Sequence, residues 1–162
     1  MREVLQAVFS NDSVEEDDAA QKNVGKVTDP DQYLFISYSS KDYETAANVR
    51  EMLENSGIAC WMAPASIPGG ADYSEVIVDA IEKSSGVVLV LTENLQESKW
   101  VPKELDIAIT ADKVIFPVHM DSSAIIKKIH FRITDFQVIE AYGDVSAVFE
   151  PLIKAVRVLW QK

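Results

Sequence analysis

A chain of 162 residues, of which 48% are hydrophobic, is long enough to form one domain with a substantial core. Its formal net charge is −11, with eight acids and three bases in residues 1–32 and eighteen acids and twelve bases in residues 33–162, so we expect no binding to nucleic acid or to an anionic membrane. The single cysteine excludes an internal disulfide and fits a cytoplasmic location, and no apolar run is long enough to span a membrane.

The first 32 residues differ in composition from the rest of the chain. Residues 11–31 are polar and contain the acidic run 15–18, which is typical of a solvated linker. Apolar side chains recur at helical spacing within residues 2–9. This segment is either a short docking helix or a part of the linker, since two turns of helix are too short to persist alone in water. We therefore predict an acidic N-terminal linker over residues 1–32 and one domain over residues 33–162.

A candidate ligand-binding position follows the first predicted strand. Tyr33–Ile36 is a run of four hydrophobic residues bounded by polar ones, a pattern typical of a short strand buried on both faces. Ser39 and Asp42 follow with the spacing of a helix N-cap, in which a hydroxyl accepts from free backbone N–H groups. Because ligands of open α/β sheets bind beyond the carboxyl ends of the strands, we expect Ser37–Asp42 to lie at the functional edge.

Predicted helices and strands alternate after this point. A helix over Asp42–Ser56 ends at Gly57, and a short strand follows over Ile58–Met62. Ala63–Asp72 contains two prolines and two glycines, which predicts a loop longer than most strand–helix connections. Apolar residues at helical spacing indicate a second helix from Tyr73 onward.

The second half of the chain continues the alternation. It contains predicted strands and helices at Gly86–Thr92, Trp100–Thr110, Val114–Met120, Phe136–Glu140 and Val145–Trp160. Pro117 indicates that the fourth strand ends there or lies at an edge of the sheet. Together these elements predict an α/β fold, a flavodoxin-like three-layer sandwich with a five-stranded parallel sheet and helices on both faces.

The residue pair that best fits a chemical role is Trp100 and Glu104. They are four residues apart, so on a helix they stand one turn apart on the same face, just beyond the third strand. A carboxylate beside an aromatic wall in a cleft suits the stabilisation of a cationic sugar, whereas a glutamate on an exposed helix turn is usually only solvated. The spacing by itself leaves both interpretations open.

Other kinds of site are disfavoured by the sequence. His119 and His130 have no metal-ligand spacing, so no metal is expected. Gly69-Gly70 matches neither a dinucleotide fingerprint nor a P-loop, and no phosphate-binding loop follows the first strand as a flavodoxin relative would require. A phosphoacceptor domain with this alternation would need acids where Ser39-Ser40 stands.

Four segments, in their order and spacing, resemble the Toll/interleukin-1 receptor (TIR) domain family. Phe35–Asp42 is similar to the family's first conserved box, and Gly57–Gly69 resembles its second strand and the loop known as the BB loop. Trp100-x-x-x-Glu104 looks like the family's Trp-x-x-x-Glu helix, and Ile115–Val118 looks like its fourth strand. The resemblance covers essentially the whole predicted domain.

The resemblance implies an enzyme of the NAD+-cleaving type found among bacterial members. In that type the helix glutamate, Glu104 here, is essential for cleaving the bond between nicotinamide and ribose. The products would be nicotinamide and ADP-ribose, or a cyclic or conjugated variant, with NAD+ as the substrate and no separate cofactor. The resemblance assigns the nucleotide pocket to Tyr38, Ser39, Ser40, Ile67, Pro68, Gly69, Tyr73 and Trp100.

The resemblance also implies a homotypic TIR–TIR assembly through the BB loop, residues 63–72, with a possible separate sensor or effector protein in bacterial antiviral immunity or signalling. Many relatives carry an Arg-Asp pair where this chain has Ala65-Ser66, and others carry an arginine where Ser39 stands. The NAD+ phosphates would then be bound by backbone N–H groups, by Lys41 or by a neighbouring subunit.

A non-catalytic TIR interaction module is the alternative interpretation. In that case the chain would pair through its BB loop, and Glu104 would be only a surface acid. The presence of both Trp100 and Glu104 favours the enzyme, because a scaffold needs neither residue. Release of free nicotinamide from NAD+ distinguishes the two.

Overall fold

The computed structural model describes residues 32–63 and 73–161, and these contain a five-stranded parallel β-sheet. The strands are β1 Leu34–Ser37, β2 Cys60–Met62, β3 Gly86–Leu91, β4 Ile115–His119 and β5 Ile139–Glu140. Their spatial order is β2-β1-β3-β4-β5, and every neighbouring pair is parallel. This is the flavodoxin-like order, so the predicted fold class is confirmed.

Helices cover both faces of the sheet. In the described residues they are α1 Tyr43–Asn55, α2 Ser74–Lys83, α3 Trp100–Thr110, α4 Lys127–Ile133 and α5 Ser146–Trp160. Short 3-10 helices, Ser40–Asp42 and Glu93–Glu97, follow β1 and β3. Helices α1 and α5 pack on one face, whereas α2, α3 and α4 pack on the other, which gives the three layers of the sandwich.

The first strand explains how the two layers of core form. Leu34 and Ile36 belong to the cluster that contains Val49 of α1, whereas Phe35 belongs to the cluster that contains Leu105 of α3. Successive side chains of a strand point to opposite faces, so a continuous apolar run serves both layers. By the same alternation Ser37, two residues after Phe35, is directed towards α3.

The first helix begins later than the sequence pattern predicts. Ser39 caps the 3-10 helix rather than α1, and its hydroxyl accepts from the backbone N–H of Lys41 at 3.3 Å. Helix α1 starts at Tyr43, and Asp42 at its N-cap position makes no capping hydrogen bond, because its side chain bonds Thr92 and Asn94. The predicted helix stop is confirmed, because Gly57 has a φ of 85°.

Pro117 lies inside β4 and does not end it, so that part of its predicted placement is wrong. The Met120 N–H donates to Leu91 of β3 at 2.9 Å, and because N–H directions alternate along a strand, the Pro117 nitrogen points away from β3. Strand β5 pairs only with Val118 and His119. At Pro117 the strand is therefore a local edge of the sheet, and the missing N–H costs no ladder bond.

Candidate active site

A cleft of about 410 Å³ lies beyond the carboxyl ends of the central strands. One wall comes from the segment after β1, with Tyr38, Ser39 and Ser40. The opposite wall comes from the start of α3, with Trp100 and Glu104. This is the position at which open α/β sheets bind ligands, and its size falls in the range usual for small-molecule sites.

Glu104 occupies a core-facing position of α3. The buried residues of this helix are Val101, Glu104, Leu105 and Ala108, which follow the spacing of a single apolar stripe. Only 6% of the Glu104 surface is exposed, yet the residue lines the cleft. A carboxyl group therefore stands where packing alone would favour an apolar side chain.

Ser37 holds this carboxyl group from the end of β1. Its hydroxyl donates to Glu104 Oε1 at 2.6 Å, and Ser37 itself is completely buried. Burial raises the pKa of Glu104 from 4.5 to about 7, because a low-dielectric surrounding disfavours the charged form. The hydrogen bond from Ser37 acts in the opposite direction and lowers that pKa. The group therefore changes charge near neutral pH.

Trp100 stands one turn before Glu104 and remains partly open to solvent. Its exposed fraction is 38%, and the Lys103 Nζ lies 5.7 Å from the centre of the indole ring. Such a distance is typical of a cation–π contact. An aromatic surface at the mouth of the cleft and a carboxyl group deeper in it suit a ligand with a flat or sugar-like apolar face.

Tyr38 links the exit of β1 to the segment that follows β2. Its phenolic hydroxyl donates to the carbonyl oxygen of Ala63, which immediately precedes residues 64–72. Burial, together with the nearby Tyr43 and Glu104, raises the pKa of Tyr38 well above 10, so it stays a neutral donor. The hydroxyl thereby ties together two segments that both border the cleft.

A buried acid braces the cleft from the side. Asp42 accepts hydrogen bonds from the Thr92 hydroxyl and from the Asn94 amide, the latter at 2.7 Å. The bonds connect the 3-10 helix after β1 with the one after β3. Across the same gap, Lys41 Nζ lies 2.7 Å from Glu97 Oε1 at the solvent-exposed rim. The segments after β1 and after β3 are thus connected twice, by the buried Asp42 and by the exposed Lys41–Glu97 ion pair.

The structure brings together most of the predicted site residues that it describes. Tyr38, Ser39, Ser40, Trp100 and Glu104 all line the cleft. Tyr73 is buried in the core cluster with Ile77 and is not among the lining residues, so its role in nucleotide binding stays a prediction. Ile67, Pro68 and Gly69 lie outside the described residues, and their roles also stay predictions.

Sequence reasoning placed Ser37 at the functional edge but did not predict its contact with Glu104, and it did not name Asn94 or Lys99. Ser37 contacts Glu104 directly, Asn94 lines the cleft from the 3-10 helix after β3, and Lys99 lines it from the residue before α3. Strand alternation offered a signal for Ser37, because it shares the face of Phe35. Nothing in the sequence spacing indicated Asn94, which comes close because the 3-10 helix that contains it is bonded to Asp42. Lys99 directly precedes Trp100, and that position was the one signal for it.

His119 forms a separate polar cluster at the end of β4. Its Nδ1 lies 2.8 Å from Glu140 Oε1, and its Nε2 lies 2.8 Å from the carbonyl oxygen of Ser123. Both ring nitrogens are therefore occupied by protein acceptors. In the described part of the chain, no group of three His, Cys, Asp or Glu side chains is arranged to hold a metal ion. Among those residues there is likewise no helix that is long and apolar enough to cross a membrane.

Two comparisons with known sequences agree with this architecture. A family profile described as TIR domain matches residues 34–151 of the chain. The stimulator of interferon genes protein of Magallana gigas is 32% identical over 78 residues, which are 48% of this chain and 19% of that protein. The chain therefore spans about a fifth of the length of this curated relative.

Two solved structures are similar to the chain. The TIR domain of a Toll-related receptor from Hydra magnipapillata has 24% identity and a TM-score of 0.62, covering 76% of this chain and 97% of that one. A TIR-STING receptor from C. gigas, solved with 2',3'-cGAMP, has 25% identity and a TM-score of 0.63, covering 81% of this chain and 41% of that one. Because the family profile matches most of the chain and the fold agrees, this chain belongs to the TIR domain family.

Proposed function

We propose that this TIR domain is an NAD+ glycohydrolase that cleaves the nicotinamide–ribose bond, with Glu104 as the catalytic residue. The observation that carries the proposal is a carboxyl group buried in the core-facing stripe of α3 and lining a cleft. A buried acid opposes folding unless its surroundings compensate for the lost hydration. Such an acid in a cleft, with a pKa near 7, is a functional candidate on physical grounds.

The chemistry fits one ionised carboxylate. When the bond breaks, its electron pair leaves with nicotinamide, which becomes a neutral base, and the ribose C1 gains positive charge. Glu104 in its charged form would stabilise that charge as it develops and would hold the ribose hydroxyls. Water then adds its oxygen to C1 and releases a proton, which gives ADP-ribose. A cyclic or conjugated product would form if another nucleophile took the place of water.

The rest of the cleft would bind the substrate. Trp100 offers an aromatic face near the ribose, and the Ser39 and Ser40 segment offers polar groups at the rim. Lys41 is engaged by Glu97, whereas Lys99 lines the cleft and forms no ion pair with any described acid. We therefore assign to Lys99 the attraction of the NAD+ phosphates, a role for which the sequence offered backbone N–H groups, Lys41 or a neighbouring subunit.

The wider setting is part of the same proposal. We place the NADase domain at residues 33–162 and a linker at residues 1–32, with homotypic assembly through residues 63–72 and activation by a separate sensor or effector protein. The named relative, a stimulator of interferon genes protein, supports a role in innate immune signalling. Antiviral defence in the cytoplasm, as the bacterial resemblance implies, is the setting that we propose.

The test is the conversion of NAD+ by the wild type and by Glu104→Gln. The amide keeps the size of the side chain and can accept from Ser37, but it cannot carry the negative charge. We expect at least a hundredfold loss of turnover, measured as free nicotinamide by chromatography. Asp106→Asn serves as the matched control, because this exposed acid lies on the same helix and pairs with Arg132 outside the cleft.

Two outcomes would contradict the proposal. Equal turnover in the wild type and in Glu104→Gln would remove the catalytic role of this residue. A wild type without turnover at any protein concentration would leave the non-catalytic TIR interaction module as the interpretation. Circular dichroism of all three proteins establishes that they are folded before the rates are compared.

A further inference from the structure

The contact between Ser37 and Glu104 connects the end of an inner strand of the sheet, β1, with helix α3. Ser37 is the last residue of β1, which is hydrogen-bonded to strands on both sides. Its side chain is 0% exposed, so it has no alternative partner in solvent. The hydroxyl has a single proton, and that proton is donated to Glu104 Oε1 at 2.6 Å.

The contact uses one carboxylate oxygen and leaves the other available. Among the described residues, Ser37 is the side chain that donates to Glu104, and it does so through Oε1 alone. The residue lines the cleft, so its remaining oxygen is the one that can meet a ligand. A fixed donor on one oxygen also limits rotation of the carboxylate, because Ser37 is held in the sheet by its pairing with Leu89 of β3.

We propose that Ser37 is the positioning residue of the proposed NADase site: it orients the Glu104 carboxylate towards the cleft and favours its charged form. This inference rests on the proposed function, because it names a second residue on which that reaction depends. Ser37 does not touch the substrate in this scheme and acts only through Glu104.

The physical basis is the competition between burial and hydrogen bonding at one carboxyl group. Burial favours the neutral acid, whereas a hydrogen bond donated to the carboxylate favours the anion. In Ser37→Ala the donor is lost while the burial remains. The pKa of Glu104 should then rise further above its value of about 7, by about one unit for the loss of a charge-assisted hydrogen bond.

The kinetic experiment is the pH profile of nicotinamide release by the wild type, Ser37→Ala and Ser37→Thr. We expect the acid limb of the Ser37→Ala profile to move up by about one pH unit, with a several-fold loss at pH 7 that recovers towards pH 9. Ser37→Thr keeps the hydroxyl and should restore the limb to its wild-type position. A residue with a merely structural role would lower turnover equally at every pH, and an unmoved limb would overturn the inference.

A spectroscopic experiment separates this inference from the proposed function. Carboxyl ¹³C resonances of glutamate-labelled protein are titrated in the wild type, in Ser37→Ala and in Glu104→Gln, whose missing signal identifies Glu104. A higher midpoint in Ser37→Ala supports the Ser37–Glu104 coupling even if the wild type proves unable to cleave NAD+. An unchanged midpoint rejects the inference even if the wild type is active. Near-wild-type dispersion of the amide spectrum establishes that each variant is folded.

Discussion

At the scale of single residues, Glu104 presents a conflict between stability and its proposed function. The stripe of α3 that it interrupts is otherwise apolar, and the residue is nearly inaccessible to solvent. Natural sites often hold a side chain that the fold would not select for packing alone. The fold compensates for this burial here with one hydrogen bond from Ser37.

The stability of the wild type should therefore depend on pH through Glu104, and that of Glu104→Gln should not. Folding raises the pKa of this acid from 4.5 to about 7. The folded protein therefore keeps its full free energy of unfolding below pH 4.5 and loses part of it as the pH rises to about 7, where the buried group becomes charged. The variant lacks this titration. Relative to the wild type, its free energy of unfolding should gain about 2–3 kcal/mol between pH 5 and pH 8, as measured by urea denaturation.

A matched variant checks the origin of that difference. Asp106→Asn removes an exposed acid from the same helix and should not show a comparable gain between the two pH values. If the two variants behaved alike, the pH dependence would come from the general negative charge of the chain and not from the buried position of Glu104.

The sequence predicts some features of this residue and misses others. The four-residue spacing correctly places Trp100 and Glu104 on one side of α3, at the edge where the cleft lies. It does not predict that Glu104 is buried, because burial depends on how the helix is rotated against the sheet. The contact between Ser37 and Glu104 was not predicted either, because it joins positions 67 residues apart in the chain and depends on the same packing of helix against sheet.

At the scale of elements, the buried connection between the two 3-10 helices is made by the Asp42 carboxylate. Asp42 is buried and bonds Thr92 and Asn94, and the backbone N–H of Glu93 donates to Asp121 at 2.9 Å. The loops after β1, β3 and β4 are thereby connected side by side. Since Asn94 lines the cleft, the shape of the rim depends on these bonds.

Asp42→Ala tests this brace. The change removes the acceptor of two hydrogen bonds to a charged group, and we expect the free energy of unfolding to fall by about 2–4 kcal/mol. Asp42→Asn keeps one oxygen acceptor and should lose less. Thermal or urea unfolding measures both, and a stability of Asp42→Ala equal to that of the wild type would contradict a structural role for the brace.

The same acid explains an error at the element scale. The sequence pattern assigned Asp42 to the start of the first helix, because an acid three residues after a serine is typical of a cap. In the structure its carboxylate is directed away from α1 to partners about fifty residues later. Rules based on neighbouring residues cannot predict a hydrogen-bond partner that lies so far away in the sequence. The buried strands were predicted well, because an uninterrupted apolar run is itself a local signal.

At the scale of the whole molecule, the net charge of −11 affects both substrate and assembly. NAD+ carries phosphates, and two copies of this chain repel one another at low ionic strength. If assembly through residues 63–72 completes the pocket, turnover per chain should rise with protein concentration, and the rise should be steeper at about 150 mM salt than at 10 mM. Nicotinamide release measured over a wide range of protein concentrations tests this, and a constant turnover per chain would contradict it.

The two outer strands of the sheet are very short, three residues in β2 and two in β5. Each strand exposes only a few unpaired backbone groups at the edge of the sheet. These are too few to form a stable strand pairing with another molecule. Filament growth by β-sheet continuation from chain to chain is therefore disfavoured. From the residues that the structure describes, we expect a higher-order polymer to be built through helices and loops, with a circular dichroism spectrum that keeps the strand content of the monomer.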